Sequence, residues 1–284
     1  MLYSSYKERG DRLLHVVSVP QVNPFTLRAA WHTTNQHTPS HIHEECEIYV
    51  NVSGDVSFMV ENHLYPVGWG DIILSRPYEY HHCVYNSDKP HEHFWILFSV
   101  NGNEALLRPF FDRERGEKNR LVLPPAEKIR CLQICRRLAQ EEPGSTPAEG
   151  LRMFFDLLHL LEDAEPDESP VPANTLPTEL AGVVAHMHAH CTEPETVRDL
   201  AARFHISVNT LERYFRRHLA ISPRGYLENL RLAHAARCLA GGCTVLEACT
   251  QSGFPDCSRF IAVFKRHFGL TPLQYRKARG MQTK

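Results

Sequence analysis

The sequence predicts an α+β multidomain protein in which a β-barrel with a helical hairpin precedes an all-α domain with two helix-turn-helix units. Short runs rich in Val, Ile, Tyr and Phe alternate with turn residues over residues 11–100. An acidic, proline-rich stretch follows at 162–175, and two similarly punctuated helical stretches lie beyond it. The predicted boundaries are a barrel at 1–120, a hairpin at 121–162, a linker at 163–177 and the all-α domain at 178–284.

Composition and length are typical of an ordinary two-domain protein. The 284 residues can bury two cores, and 43% are hydrophobic and 23% charged. No apolar run approaches the roughly 20 residues that span a bilayer, and the N-terminus lacks the apolar core of a signal peptide. The nine scattered cysteines include no Cys-x-x-Cys pair. We therefore expect a cytoplasmic protein with reduced thiols and no membrane partner.

The two halves of the chain carry opposite charge. Residues 177–284 hold 15 Lys or Arg against 8 Asp or Glu, a formal charge of +7. Residues 1–176 hold 16 Lys or Arg against 25 Asp or Glu, a formal charge of −9. A merely solvated surface does not explain why the basic excess follows the helix-turn-helix segments. The asymmetry predicts that the C-terminal half meets a polyanion.

The barrel is predicted from short strands with regular turns between them. The clearest runs are residues 47–53, 56–60, 71–75 and 94–99. From Pro125 the apolar period becomes helical, and a second helix starts after Thr146, a predicted N-cap. Residues 106–111 are compatible with a short helix and residues 112–120 with a polar loop. The apolar hairpin could pack on its own barrel or pair with a second subunit, which makes a homodimer an expectation.

One cluster at the start of the barrel has the composition of a site. His41, His43 and Glu47 share one face of a strand, where two imidazoles and a carboxylate can hold a divalent metal. Their spacing, with the later Gly54, Gly70, Pro77 and His81, resembles the two motifs of the cupin superfamily. Cupins are small double-stranded β-barrels. The resemblance implies a cupin-like barrel whose candidate metal ligands are His41, His43, Glu47 and His81. His82, His91 and His93 are alternatives for the fourth ligand.

The same face can instead bind an organic ligand without any metal. Tyr49 and Asn51 follow on the His/Glu face, whereas Ile48, Val50 and Val52 alternate to the other face. Hydroxyl and amide groups suit a small polar molecule such as a sugar or sugar acid. The candidate ligand-binding residues are His41, His43, Glu47, Tyr49 and His81. No nucleophile and base have motif spacing, so we predict no catalytic residue and no cofactor beyond the candidate metal.

The first helix-turn-helix unit has a well-equipped outward face. Ser207 is the predicted N-cap of its second helix, on which Leu211 and Phe215 face inward. The start of a recognition helix reaches base edges, and its later basic residues reach phosphates. The sequence thus assigns Asn209, Thr210 and Arg213 to bases. Arg216 and Arg217 are assigned to the backbone, with Ser207 at the interface.

The second unit has fewer base-reading side chains. Gly253 marks its turn and Asp256 is a candidate cap. Its predicted outward, DNA-facing residues are Cys257, Ser258, Arg259, Lys265 and Arg266. Arg259 is the one strong candidate for a base, and it could equally hold a phosphate. Residues 223–240 form a predicted long helix that spaces the two units along one side of a duplex.

The C-terminal sequence motifs resemble the AraC/XylS family of bacterial transcription regulators over residues 178–279. They are Ser222-Pro-x-x-Tyr226, Arg231-Leu-x-x-Ala235, Gly253-Phe-x-Asp256, Phe264-Lys-Arg-x-Phe-Gly-Leu-Thr-Pro272 and Tyr275-Arg276. The resemblance implies effector sensing by the barrel, dimerisation through the helices and operator binding by both units. The chain departs from the family pattern at Ala248-Cys249, Arg259 and Ala262, which affects base reading by the second unit.

The sequence favours a ligand-responsive transcription regulator over two rivals. Its expected partners are a double-stranded DNA operator, a small-molecule effector and a second copy of the chain, with RNA polymerase a further candidate. One rival is a metal-dependent cupin enzyme, a dioxygenase or isomerase, fused to a regulatory DNA-binding domain. The other is a helical module for protein partners, which the basic ends of both second helices disfavour.

Overall fold

The computed structural model describes residues 15–17, 25–34, 42–87, 89–99, 107–139, 146–162, 164–167 and 176–280. These residues form two compact units. One holds the strands and the helical hairpin, and the other holds the C-terminal helices. Among the described residues, no helix is both long and apolar enough to cross a membrane.

Nine strands of the described chain form two antiparallel sheets. They are β1 His15–Val17, β2 Phe25–Thr34, β3 Cys46–Ser53, β4 Val56–Val60, β5 His63–Pro66, β6 Ile72–Ser75, β7 His81–Tyr85, β8 His91–Phe98 and β9 Arg120–Leu121. The larger sheet has the order β1-β2-β8-β3-β6-β9, and the smaller has the order β5-β4-β7. This architecture confirms the predicted sheet-rich N-terminal domain. The predicted strand at 56–60 has the observed bounds, and β8 starts three residues earlier than expected.

Strict alternation along β3 separates an apolar face from a polar one. Ile48 and Val50 belong to the large buried cluster that also contains residues of the helical hairpin. Glu47, Tyr49 and Asn51 point to the opposite face, and Tyr49 packs with Phe58 of the smaller sheet. Each fully buried aliphatic or aromatic side chain contributes about 1.5–3 kcal/mol relative to exposure. The period-2 pattern therefore fixes which side chains lie between the two sheets.

The hairpin consists of two helices that pack on the larger sheet. The helices before the C-terminal unit are α1 Arg108–Phe111, α2 Pro125–Ala139 and α3 Pro147–Glu162. The Thr146 hydroxyl accepts a hydrogen bond from the Glu149 amide at 3.3 Å, as expected of a cap. Cys131 and Phe154 are buried in the shared core. Packing on its own barrel is thus one observed use of the hairpin.

The first residues of the predicted linker are attached to the barrel. Pro166 forms an isolated bridge with Leu121, and the Asp167 amide donates to the Arg120 carbonyl at 3.0 Å. The side chains of Arg120 and Asp167 form an ion pair at 3.1 Å. Residues 164–167 are thus held at the sheet edge, where Glu165 and Pro166 are exposed. Residues 168–175 of the predicted linker lie outside the described residues.

The C-terminal unit is entirely helical within residues 176–280. Its helices are α4 Thr178–His190, α5 Val197–Arg203, α6 Val208–Leu219, α7 Pro223–Ala240, α8 Val245–Gln251, α9 Cys257–Phe268 and α10 Pro272–Gly280. The predicted spacer is α7, whose Ser222 cap accepts from the Gly225 amide at 3.1 Å. Its 18 residues give a length of about 27 Å at 1.5 Å per residue. The two predicted helix-turn-helix units, α5-α6 and α8-α9, are both present.

Candidate DNA interface and ligand site

The first helix-turn-helix unit is fixed by caps at both of its helices. The Thr196 hydroxyl and the Asp199 side chain form a reciprocal capping box at the start of α5. Ser207 caps α6 by accepting from the Thr210 amide at 3.1 Å. His205 occupies the turn with φ of +54°, a left-handed conformation. Local polar residues therefore fix where each of the two helices begins.

The outward face of α6 carries the residues predicted to meet DNA. Asn209, Arg213, Arg216 and Arg217 are exposed. Leu211, Phe215 and Leu219 are buried on the other face. The Thr210 hydroxyl lies 2.9 Å from the Ser207 hydroxyl, so the cap engages both side chains. The side chains of Asn209 and Arg213 are consequently more available to bases than that of Thr210. Their contact with bases stays a prediction.

The second unit repeats the capping scheme. Thr244 and Glu247 form the capping box of α8, and the Asp256 carboxylate accepts from the Ser258 amide at 2.9 Å at the start of α9. Gly253 has φ of +72°, and a Cβ there would collide with the Thr192 carbonyl. This turn consequently requires glycine.

One expectation for the second unit needs correction. Cys257 was expected to face DNA as a reduced thiol, but the structure pairs its sulphur with Cys249 of α8 in a disulfide. The pairing arises because the first residue of α9 lies against α8, with a Cα–Cα distance of 5.8 Å. Arg259 and Arg266 are exposed as predicted, yet both guanidinium groups contact Glu228 of α7. Ser258 and Lys265 are exposed on α9.

Three predicted site residues meet at one end of the barrel. Glu47 Oε2 lies 2.9 Å from His43 Nε2 and 3.2 Å from His81 Nε2. Candidate ligand atoms of these three residues all lie within 4.8 Å of one another. Glu47 comes from β3, His81 from the facing β7, and His43 from the segment before β3. His41, the fourth predicted ligand, lies outside the described residues.

Backbone carbonyls fix the orientation of both imidazoles. Nδ1 of His43 lies 3.0 Å from the Glu45 carbonyl, and Nδ1 of His81 lies 2.7 Å from the Glu79 carbonyl. With Nδ1–H donating to a carbonyl, Nε2 of each ring is directed at the carboxylate of Glu47. Imidazoles that bind metals are commonly oriented by such a bond. The geometry of the three residues therefore fits a divalent cation as well as an ion pair.

The electrostatics of this trio favour a charged carboxylate. Burial opposes ionisation of Glu47, but hydrogen bonds from His43 and His81 outweigh it and hold the pKa of Glu47 well below its usual value. Burial likewise opposes charge on His81, and the contact with Glu47 nevertheless raises the His81 pKa. Glu47 and His81 thus carry compensating charges in a buried position.

The alternative histidines lie elsewhere. His81, Cys83 and Tyr85 alternate toward the larger sheet, whereas His82 points to the opposite face of β7. His91 and His93 lie on β8, and their rings stack with centroids 4.4 Å apart. The structure therefore places His81 beside Glu47. Cys83 and Tyr85 were missed as residues of this face, although alternation from His81 predicts their direction.

A second polar group extends along the inner face from Tyr49. The Tyr49 hydroxyl contacts His91 Nε2 at 2.7 Å and donates to Asn51 Oδ1 at 3.1 Å. Burial lowers the pKa of His91 to about 4 and that of His93 to about 3, so both rings are neutral at pH 7. Nδ1 of His91 and Nδ1 of His93 are buried and make no hydrogen bond to any described residue. These two atoms are thus buried polar groups without a partner among the described residues.

Comparison with known proteins matches both units. The family described as "AraC-like ligand binding domain" matches residues 23–168, and a family described as "Helix-turn-helix domain" matches residues 200–278. The RhaS transcriptional activator of Escherichia fergusonii is 32% identical over 154 residues, which cover 52% of this chain and 53% of that protein. The lactose operon transcription activator of Staphylococcus xylosus is 22% identical over 241 residues, covering 83% and 85% respectively.

Among solved structures, the DNA-binding domain of AdpA in complex with a target DNA is 32% identical. It covers 38% of this chain and 99% of that chain, with a TM-score of 0.36. The family assignment depends on the two domain matches, the first of which covers half of the chain. The protein is a DNA-binding transcription regulator of the AraC family, with a cupin-like ligand-binding domain followed by a helix-turn-helix domain.

Proposed function

We propose that this regulator responds to an uncharged, hydroxyl-rich small molecule, with a sugar as the leading class, bound between the two sheets. The observation that carries the proposal is the pair of buried Nδ1 atoms on His91 and His93, beside the Tyr49 hydroxyl. Buried polar atoms are nearly always hydrogen-bonded. A ligand with several hydroxyl groups supplies the missing partners and stacks its ring on the aromatic side chains nearby.

The charges around this face favour a neutral ligand over a sugar acid. Arg28 of β2 is occupied by Glu45 at 2.7 Å, and His43 and His81 are occupied by Glu47. His91 and His93 are neutral at pH 7 because burial lowers their pKa values. A buried carboxylate ligand would therefore find no unpaired cation among these groups. Burying its charge without a partner would cost roughly several kcal/mol. The Staphylococcus xylosus relative is named as an activator of a lactose operon, and lactose is a neutral sugar, which supports this choice.

On DNA, we propose that the two units contribute unequally to one operator half-site. Asn209 of α6 can bond adenine bidentately and Arg213 can do the same with guanine. Arg216 and Arg217, in the last turn of α6, suit phosphates. The spacer α7, about 27 Å long, is compatible with two recognition helices in successive major grooves about 34 Å apart.

The hairpin supports a homodimer as the working state. Ile129 of α2 is 51% exposed and Phe155 of α3 is 50% exposed, although most other large apolar side chains of both helices pack in the shared core. Exposed large apolar side chains on a hairpin are common at subunit interfaces. Phe155→Glu in the full chain should shift the sedimentation coefficient from dimer to monomer. Leu273→Glu, which changes a 47% exposed leucine of the other unit, should leave the dimer intact.

A divalent metal is the second candidate occupant of the barrel. His43, Glu47 and His81 would hold it, because both imidazoles are oriented through Nδ1 toward backbone carbonyls. When bound, such an ion polarises a coordinated carbonyl or hydroxyl group. The backbone carbonyls of Glu45 and Glu79 orient the ring nitrogens toward this position. This arrangement keeps the alternative of a metal-dependent cupin activity open to experiment.

Retention of genomic DNA tests the proposed function. Fragments of the organism's own genome that the protein retains should share one operator sequence, adjacent to genes that handle the effector. Uncharged sugars should then alter binding to that operator, and the corresponding sugar acids should not. Retained fragments without a common sequence, or a response to sugar acids alone, would contradict the proposal.

A further inference from the structure

Glu228 of the spacer helix α7 contacts two arginines of the second recognition helix. Glu228 Oε2 accepts from Arg259 Nη2 at 3.0 Å, and Oε1 accepts from Arg266 Nη2 at 3.1 Å. Arg259 and Arg266 lie seven residues apart on α9, two turns along one face. A single carboxylate thus uses both of its oxygens to bridge the beginning and the end of this helix.

The carboxylate is less exposed than the guanidinium groups it holds. The Glu228 side chain is 21% exposed, against 46% for Arg259 and 73% for Arg266. Arg231, one turn further along α7, donates to the backbone carbonyls of Cys191 and Glu193 at 2.7 and 2.8 Å. Its own charge repels that of Arg259. Glu228 is therefore the anion that compensates a concentration of positive charge between α7 and α9.

The first unit has no equivalent restraint among the described residues. Arg216 of α6 lies 3.6 Å from Glu212 of the same helix, an exposed pair of little energetic weight. The Arg213 guanidinium lies over the ring of the adjacent Tyr214. No acid of α7 contacts an arginine of α6 among the ion pairs within residues 176–280. Within residues 176–280, an acid of α7 that holds arginines of a recognition helix is thus found in the second unit alone.

We propose that Glu228 limits the affinity of the second unit for DNA by competing with phosphates for Arg259 and Arg266. A carboxylate bound to a guanidinium occupies its donors, and it also repels an approaching phosphate. Phosphate contacts carry no sequence information, so weakening them lowers the affinity for every sequence by a similar factor. The regulator then depends on the base contacts of its first unit for affinity. This inference rests on the proposal that both units contact the operator.

Glu228→Gln in the full chain tests the inference. The neutral amide should release both arginines toward phosphates and raise the affinity for a random-sequence duplex about three- to tenfold near 0.1 M salt. The slope of log K against log salt should steepen by about one to two, because each additional phosphate contributes roughly 0.9. Operator affinity should rise by a similar factor, so the ratio of operator to random-duplex affinity should change little.

Glu179→Gln is the matched control, since Glu179 is an exposed acid at the start of α4 and the charge change is the same. It should alter affinity and slope by a smaller amount. In an Arg259→Gln/Arg266→Gln background, Glu228→Gln should have no larger effect than Glu179→Gln. Equal effects of the Glu228 and Glu179 variants, or lower random-duplex affinity with Glu228→Gln, would overturn the inference while leaving operator binding established. A wild-type protein that prefers no sequence would instead overturn the proposed function.

Discussion

Glu79 and Arg113 form a buried, two-pronged ion pair that anchors a surface loop to the barrel. Both carboxylate oxygens accept from the Arg113 guanidinium, at 3.0 and 2.9 Å, and both side chains are nearly inaccessible. The same carboxylate accepts from the Gly116 amide at 2.9 Å and from Asn119 Nδ2 at 3.1 Å. Residues 112–120, expected as a polar loop, are therefore held by a buried charge network.

Glu79→Gln should destabilise the barrel by about 3–5 kcal/mol, since it leaves the Arg113 guanidinium buried without a counter-charge. Glu117→Gln, an exposed acid of the same loop, should change stability by less than about 0.5 kcal/mol. Urea unfolding followed by tryptophan fluorescence measures this effect selectively, because all three tryptophans lie in the N-terminal half. Equal stability of the two variants would show that the pair contributes nothing.

The stability of the barrel should fall in acid. Burial opposes ionisation of Glu79 and Asp71, but hydrogen bonds and charges from Arg113 and Lys128 outweigh it and lower both pKa values. A lowered folded-state pKa gives stability that is complete above the unfolded pKa, about 4, and is lost as pH falls through the folded values. Urea midpoints should therefore decline below about pH 4, and the decline should be shallower in Glu79→Gln. A wild-type midpoint independent of pH over this range would contradict the assignment.

Metal analysis decides between an ion and an ion pair at His43, Glu47 and His81. If the cation reading is correct, protein purified without an affinity tag should contain up to one divalent ion per chain. His81→Ala should lose it, and His82→Ala, which changes the neighbour facing the other side of β7, should retain it. Metal-free wild-type protein that still responds to its effector would assign the trio to ion pairing alone.

Arg213 and Arg217 should have different effects on operator recognition. Arg213→Ala should cost about 1–3 kcal/mol and relax preference at a single base position, because this side chain is assigned to a base edge. Arg217→Ala should weaken binding to all sequences alike and reduce the salt slope by about 1. Binding to a panel of single-substitution operators separates the two outcomes. An unchanged preference with Arg213→Ala would remove it from base reading.

Most of the fold could be predicted from the periodicity of apolar residues along the sequence. The alternation of Glu47, Tyr49 and Asn51 with Ile48 and Val50 predicted the polar and apolar faces of β3, because a strand has only two faces. Caps at Thr146, Ser207 and Asp256 were equally predictable, since they depend on residues within one turn of the helix start.

Contacts between distant segments were not predictable from local patterns. Glu79 and Arg113 are 34 residues apart, and Arg259 meets a glutamate 31 residues away. Exposed charged residues on a helix have the same pattern whether they meet DNA or a neighbouring helix. The contact between Cys249 and Cys257 was missed for the same reason, because spacing alone gives no Cα–Cα distance.

The dissociation constant of the full chain for its operator, measured with and without an uncharged sugar, shows whether sugar binding in the barrel controls operator binding. The effective sugar should change this constant about five- to 150-fold in the wild type, the range of typical coupling free energies. The change should be less than about twofold in Tyr49→Phe, which loses the hydroxyl bonded to His91. A sugar that binds the wild-type protein without altering operator affinity would contradict the account, as would an undiminished change in Tyr49→Phe.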